Sequence, residues 1–204
     1  MTSCFEIREE VNMDANGAGD FNLVVNLSQS KDQVKKYLQA EETNGQLKDK
    51  NVESIFKHVQ VVMEGVKGLS DIRIDRDYED YVFSVKAHFT NVNVLNDAIA
   101  TVTEALDYLY VPKLGAKSFS GNESQFTRKF DYPIDPSEFN SLPGFIQYSL
   151  ESAKVVSIYR FAKEIQGYSN KKAMVSPSKK AIKLESSIAD IGKGIATMEN
   201  RIDF

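Results

Sequence analysis

The chain alternates over its first 28 residues. Phe5, Ile7, Val11 and Met13 stand between Glu6, Arg8, Glu10, Asn12 and Asp14. After Asp14-Ala-Asn-Gly-Ala-Gly-Asp20, the period of two resumes with Phe21, Leu23, Val25 and Leu27. Successive strand residues point to opposite faces, so the pattern predicts two strands, each with one apolar and one wet face, turning at Asn16-Gly17. A lone hairpin is marginal in water, so this one requires further strands beside it and a cover for its apolar face.

The rest of the sequence offers both. Val52, Ile55, Phe56, Val59, Val62, Met63 and Val66 form one stripe at helical spacing, with Gly65 and Gly68 where a helix stops. Burying seven such side chains at about 1.5–3 kcal/mol each gives that helix a purpose without any ligand. Its expected place is over the Phe5/Ile7 and Phe21/Leu23 face. Ser28 or Ser30 is suited to cap an earlier helix ending near Glu42, before Asn44-Gly45. Asn91 or Asn93 is suited to cap a later one carrying Leu95, Ala98, Ile99, Val102 and Leu106. Ile72 and Ile74, an acidic turn, and Tyr81, Phe83, Val85, Ala87 and Phe89 predict a second hairpin. Further strands are expected at 109–111, 117–120, 126–132, 155–161, 173–175 and 181–184. Ile188, Ile191 and Ile195 mark a short helical or irregular segment before the tail 201–204.

Hairpins interrupted by amphipathic helices predict an α+β fold: a mostly antiparallel sheet of hairpins with about three helices packed on one face. Pro133, Pro136, Pro143 and Gly144 make 133–147 a long loop, the boundary if there were two domains. The expectation is one domain over 5–204, which requires the later strands to extend the first hairpin's sheet. No run approaches the ~18 apolar residues of a membrane span.

Little in the sequence points to catalysis. Asp14, Asn16, Gly19 and Asp20 match part of a calcium loop, but Ala18 and Val25 hold its fifth and twelfth positions; from Asp75 the twelfth is Lys86. Both stretches read as hairpin turns. The two histidines, His58 and His88, share no metal-ligand spacing with each other or with Cys4, and no Gly-x-Ser-x-Gly elbow occurs. Gly192-Lys193-Gly194 lacks the earlier glycine and the following Ser or Thr of a phosphate loop. Phe119, Phe126, Phe130 and Tyr132 fit a buried strand face better than a stacking platform for a sugar or base. No metal or cofactor is expected.

Charge is unevenly placed. Residues 154–193 hold nine cations against Glu164, Glu185 and Asp190, a net of +6 in a chain of net −4, leaving −10 elsewhere. The overall balance offers no general attraction to nucleic acid. The basic stretch, with Lys154, Arg160, Lys163, Lys171, Lys172, Lys179, Lys180 and Lys183, is a candidate surface for an anionic partner, or simply the solvated face of exposed strands.

Cys4 is the single cysteine, and Met1-Thr2-Ser3-Cys4 fits the end of a bacterial lipoprotein signal: an apolar residue, two small ones, then the cysteine that receives lipid. Two or more acyl chains hold a protein stably where one does not. Cys4-Phe-Glu-Ile-Arg-Glu-Glu-Val11, the Gly-rich turn, and Phe21-Asn-Leu-Val-Val-Asn-Leu-Ser28 resemble the start of uncharacterised envelope lipoproteins of the Bacteroidetes type. Ser157-Ile-Tyr-Arg-Phe161 and Tyr168-Ser-Asn170 resemble their later strands. More distantly, the chain is similar to the LppM-like lipoprotein domain of actinobacteria. The resemblance implies an anchored cell-envelope protein, periplasmic or at the outer membrane, and brings no catalytic residues. The basic start and apolar stretch of a signal peptide do not precede Met1 in this sequence, so a cytoplasmic protein starting at Met1 is the alternative.

Three functional expectations follow. The first is a non-enzymatic envelope protein anchored through Cys4 that binds a protein partner, a glycan or an apolar ligand. The second is a hydrolase using two carboxylates such as Asp131 and Asp135, which would need to line a cleft ~5–10 Å apart. The third is an interaction module whose basic C-terminal face meets an anionic surface.

Overall fold

Strands β1 (Glu6–Met13) and β2 (Gly19–Asn26) pair antiparallel, from Glu6↔Asn26 to Met13↔Gly19. The computed structural model describes residues 5–32, 35–36, 52–106, 118–129 and 153–204. In the turn, the Asp14 N–H donates to the Ala18 carbonyl at 2.8 Å and the Ala18 N–H to Asn16 Oδ1 at 3.1 Å. Gly17 has φ 85°, the left-handed conformation that makes Asn-Gly the turn dipeptide here. A Cβ on Gly19 would collide with the Asn12 carbonyl across the hairpin.

After β2 comes a 3-10 turn, Ser28–Ser30. Helical residues continue at 31–32 and 35–36, and the rest of the helix expected to reach Glu42 lies outside the described residues. Helix α1 (Val52–Glu64) follows, then β3 (Leu69–Asp77) and β4 (Val82–Phe89), paired antiparallel through an acidic turn. Asn93 precedes α2 (Val94–Ala105) without a side-chain cap; Asn91 Oδ1 instead accepts from the Asn93 N–H at 3.1 Å. Beyond it come β5 (Phe119–Gly121), β6 (Gln125–Arg128), β7 (Lys154–Phe161), β8 (Gly167–Tyr168), β9 (Met174–Val175), β10 (Ala181–Ser187), α3 (Ile188–Gly192) and β11 (Asn200–Asp203). The expected strand at 109–111 and the ends of those at 117–120 and 126–132 fall outside the described residues, as does the loop 133–147.

The fold is α+β, and its large sheet is mostly antiparallel, in the order β3-β4-β2-β1-β7-β10-β9. Its exception is central: β7 lies parallel to β1 from Glu6↔Lys154 to Met13↔Phe161. The later strands therefore continue the first hairpin's sheet. A second sheet, β5-β6-β11-β8, was not among the expectations, which placed only helices over the strands.

Register places Ala87, Phe21, Val11, Tyr159 and Ile182 in one row on a single face. Two covers share that face. Over β3 and β4, Val59 and Met63 of α1 bury Ala87 together with Ile72, Ile74 and Val85. Over β1, β7 and β10, Phe119, Phe126, Met198 and Ile202 meet Val11, Tyr159, Phe161 and Leu184. Helix α1 thus sits farther out than the sequence suggested. It runs into β3 through the short turn at Gly68 (φ 96°), which holds it above the outer hairpin. The place over β1 is taken by aromatics of the small sheet, with Phe126 4.9 Å from Tyr159 and 5.4 Å from Phe161 between ring centres. The opposite face carries cross-strand ion pairs, including Arg160–Glu10 at 2.8 Å and Lys86–Asp75 at 2.9 Å. No helix among the described residues is long and apolar enough to cross a membrane.

Candidate functional site

A cleft of ≈220 Å³ opens where the helical cover meets the sheet. Its floor is Phe21 and Leu23 of β2 with Val85 and Ala87 of β4; its walls are Val59 and Met63 of α1 with Ala98 and Val102 of α2. The sequence makes this space by placing alanines where the two alternating patterns turn inward. Ala87 lies between the inward Val85 and Phe89, and Ala98 on the α2 stripe beside Leu95 and Val102. Among the described residues that line it, Thr103 carries the one polar side chain, and its hydroxyl donates to the Ile99 carbonyl at 2.7 Å. Among the described residues the lining holds no acid, base or nucleophile. Water gains no partners there, and native cores hold few voids larger than a water. An apolar occupant matches both the shape and the chemistry.

Beneath the second cover lies a buried polar network. Arg128 of β6 donates from Nε to Glu9 Oε1 at 3.0 Å and from Nη2 to Glu9 Oε2 at 2.9 Å. Its Nη1 reaches the carbonyls of Lys129 at 2.6 Å and Ser118 at 3.3 Å. The Tyr159 hydroxyl donates to Glu9 Oε1 at 2.6 Å, and the Arg128 guanidinium lies 4.6 Å from the Phe119 ring centre. Burial, reinforced by the Glu9 charge, holds the Tyr159 hydroxyl well above its ordinary value, so it stays a donor. Both Glu9 oxygens are engaged. The arrangement joins the two sheets through three strands and leaves no acceptor turned outward.

The residues singled out from sequence do not gather into one site. Cys4, Asp131 and Asp135 lie outside the described residues. Lys154 and Lys183 both bond Glu185, at 2.6 and 2.9 Å, and their bonds hold its carboxyl below the usual carboxylate value. Arg160 pairs with Glu10. Lys163 donates to the Glu123 carbonyl at 2.6 Å, beside a smaller cleft of ≈210 Å³ at the Met13 end of the sheet. Lys179 and Lys180 belong to the β9–β10 turn at that same end, where the carbonyls of both accept backbone bonds. Lys171 and Lys172 occupy a turn before β9. His88 faces Asp20 on the open side at 3.0 Å, and His58 is exposed. Phe119 and Phe126 are fully buried, and Gly192-Lys193-Gly194 closes α3, with Gly194 at φ 68°.

No family model matches the chain, and no curated protein matches it. Among solved structures, the folded domain of LppM from Mycobacterium tuberculosis, determined by NMR, aligns with 100% of this chain and 90% of its own, at 9% identity and a TM-score of 0.45.

Proposed function

We propose that this chain is a lipid-anchored cell-envelope protein whose domain binds an apolar ligand, of the acyl-chain class, in the cleft between α1, α2 and the sheet. The cleft carries the reading: ≈220 Å³ of space in which no polar side chain among the described residues is left free for an occupant. Each CH₂ moved from water into such a lining gains about 0.8 kcal/mol. The role is binding, in keeping with a lining that is apolar apart from Thr103 among the described residues. The anchor rests on Met1-Thr2-Ser3-Cys4 and the resemblance around it. Residues 5–204 act as one domain, because the central pair of the large sheet joins its first strand to one past the proline loop.

Two experiments test the two halves. Titration with a fluorescent fatty acid is expected to saturate near one site per chain and to fail in Ala98→Phe, whose ring would fill the cleft. Saturable binding unchanged by Ala98→Phe would remove the cleft from the account. Intact mass of the chain from the membrane fraction of its host is expected to show a species beginning at Cys4 with added acyl mass. An unmodified chain would remove the anchor and leave the cleft.

A further inference from the structure

We propose that the Glu6 end of the large sheet is a docking surface for anionic lipid headgroups, with Ile195 as its apolar point and Lys171, Lys172 and Lys193 as its cationic contacts. The inference rests on the anchored reading in one respect: Cys4 immediately precedes Phe5 in the sequence, and Phe5 is the first described residue at this end.

Register fixes the location. Glu6, Lys154 and Ser187 lie side by side at the end of β1, β7 and β10. The Phe5 carbonyl accepts from the Lys154 N–H at 3.0 Å, and the Ala153 carbonyl from the Ile188 N–H at 2.9 Å. Helix α3 and the loop after it therefore stand beside the first described residue of the chain.

Ile195 tops that loop with 65% of its surface exposed, where most large aliphatic side chains among the described residues are covered. The loop is held firmly. Ser187 Oγ caps α3 by accepting from the Asp190 N–H at 3.0 Å. At the other end the N–H groups of Ile195 and Ala196 donate to the Asp190 carbonyl at 2.9 and 3.1 Å, and that of Gly194 to Ile191 at 3.0 Å. A side chain presented by a fixed loop loses little freedom on docking.

The cations are brought to it by Asn170. Its Nδ2 donates to the carbonyls of Thr197 at 3.0 Å and Glu199 at 2.9 Å, tying the turn of Lys171 and Lys172 to the segment that follows Ile195. Lys193 is two residues before Ile195. Among the described residues, no ion pair engages these three lysines. Asp190 and Glu199 share the loop, so the three lysines leave a small positive excess there. Each lysine near an anionic leaflet is worth about a fivefold gain in affinity, within a Debye length of ~10 Å.

The chain contains no tryptophan, so Ile195→Trp supplies a sole emitter. The unacylated protein is mixed with phosphatidylcholine vesicles, with or without roughly one-third phosphatidylglycerol. A blue shift, and quenching by lipids brominated in the acyl chain, are expected on the anionic vesicles alone. Val61→Trp, on the exposed face of α1, is expected to remain unshifted. Changing Lys171, Lys172 and Lys193 to Glu is expected to weaken vesicle binding at least a hundredfold. Equal response on neutral and anionic vesicles would overturn the proposal, as would a blue shift that grows with protein concentration alone, the mark of a second copy as the occupant. So would an emitter left in water when the chain is coupled through Cys4 to a maleimide lipid in anionic vesicles. That last result leaves the anchor standing; docking by a chain shown to be unacylated in its host retires the anchor and keeps the surface.

Discussion

Glu9, Arg128 and Tyr159 meet in the one place where the core is ionic among the described residues. Removing one member of such a group costs more than the group is worth, because the partner stays buried without compensation. Arg128→Ala is expected to lower unfolding free energy by about 3–5 kcal/mol in urea, whereas Glu9→Met combined with Arg128→Met costs much less. Equal losses in the two variants would show that Arg128 acts by packing on Phe119 alone. Tyr159 adds a pH dependence with a definite sign. Its hydroxyl holds its proton more tightly when folded than the ordinary value of 10.0, so its contribution is full below pH 10.0 and is lost as pH rises through the folded value. Absorbance titration is expected to show Tyr159 ionising only as the protein unfolds in alkali, and Tyr159→Phe to diminish that late step. Half of this was legible. Glu9 holds an inward position between Ile7 and Val11, and Arg128 stands two after Phe126, so each is a charge where alternation demands an apolar side chain. Their meeting was not legible, because alternation says which face a residue takes and nothing of a partner 119 positions away.

Elements obey local rules in their existence and tertiary rules in their placement. Both amphipathic hairpins and the α1 and α2 stripes follow from periods of two and 3.6, and the strands form where those periods place them. The parallel pairing of β1 with β7 does not follow, since a strand reads the same whichever way its neighbour runs. Nor does the second sheet: strands were expected where β5 and β6 lie, but β8 and β11 are two and four residues long, too short for a period to declare itself, and nothing local says that these four pair apart from the large sheet. The cleft arises from placement as well. It needs α1 to stand over the outer hairpin and Ala87 and Ala98 to line the gap, and neither alanine is unusual in its own element. A ring added at Ala98 enters space that is already there, so Ala98→Phe is expected to shift stability by less than about 1.5 kcal/mol while it blocks the ligand. A larger loss in thermal unfolding would mean that this region is packed in solution and holds no cleft.

At the scale of the molecule, one sheet face carries two different interiors. The Tyr159 side is aromatic and ion-paired, with a polar-rimmed cleft at its Met13 end; the α1–α2 side is aliphatic and open. Loss of activity by damage to the fold is therefore separable from loss by filling the cleft, because the two regions share few side chains. The methionines report on this division. The sequence has five: Met198 belongs to the aromatic core, Met13 to that core beside the smaller cleft, Met174 is exposed, Met63 lines the α1–α2 cleft and Met1 precedes the described residues. The most direct measurement is a ¹³C-methyl methionine spectrum recorded while a medium-chain fatty acid is titrated in. The account predicts that the Met63 resonance moves and saturates while those of Met13, Met174 and Met198 stay in place. Movement of Met174 with Met63 unmoved, or no saturable change at any methionine, would contradict it.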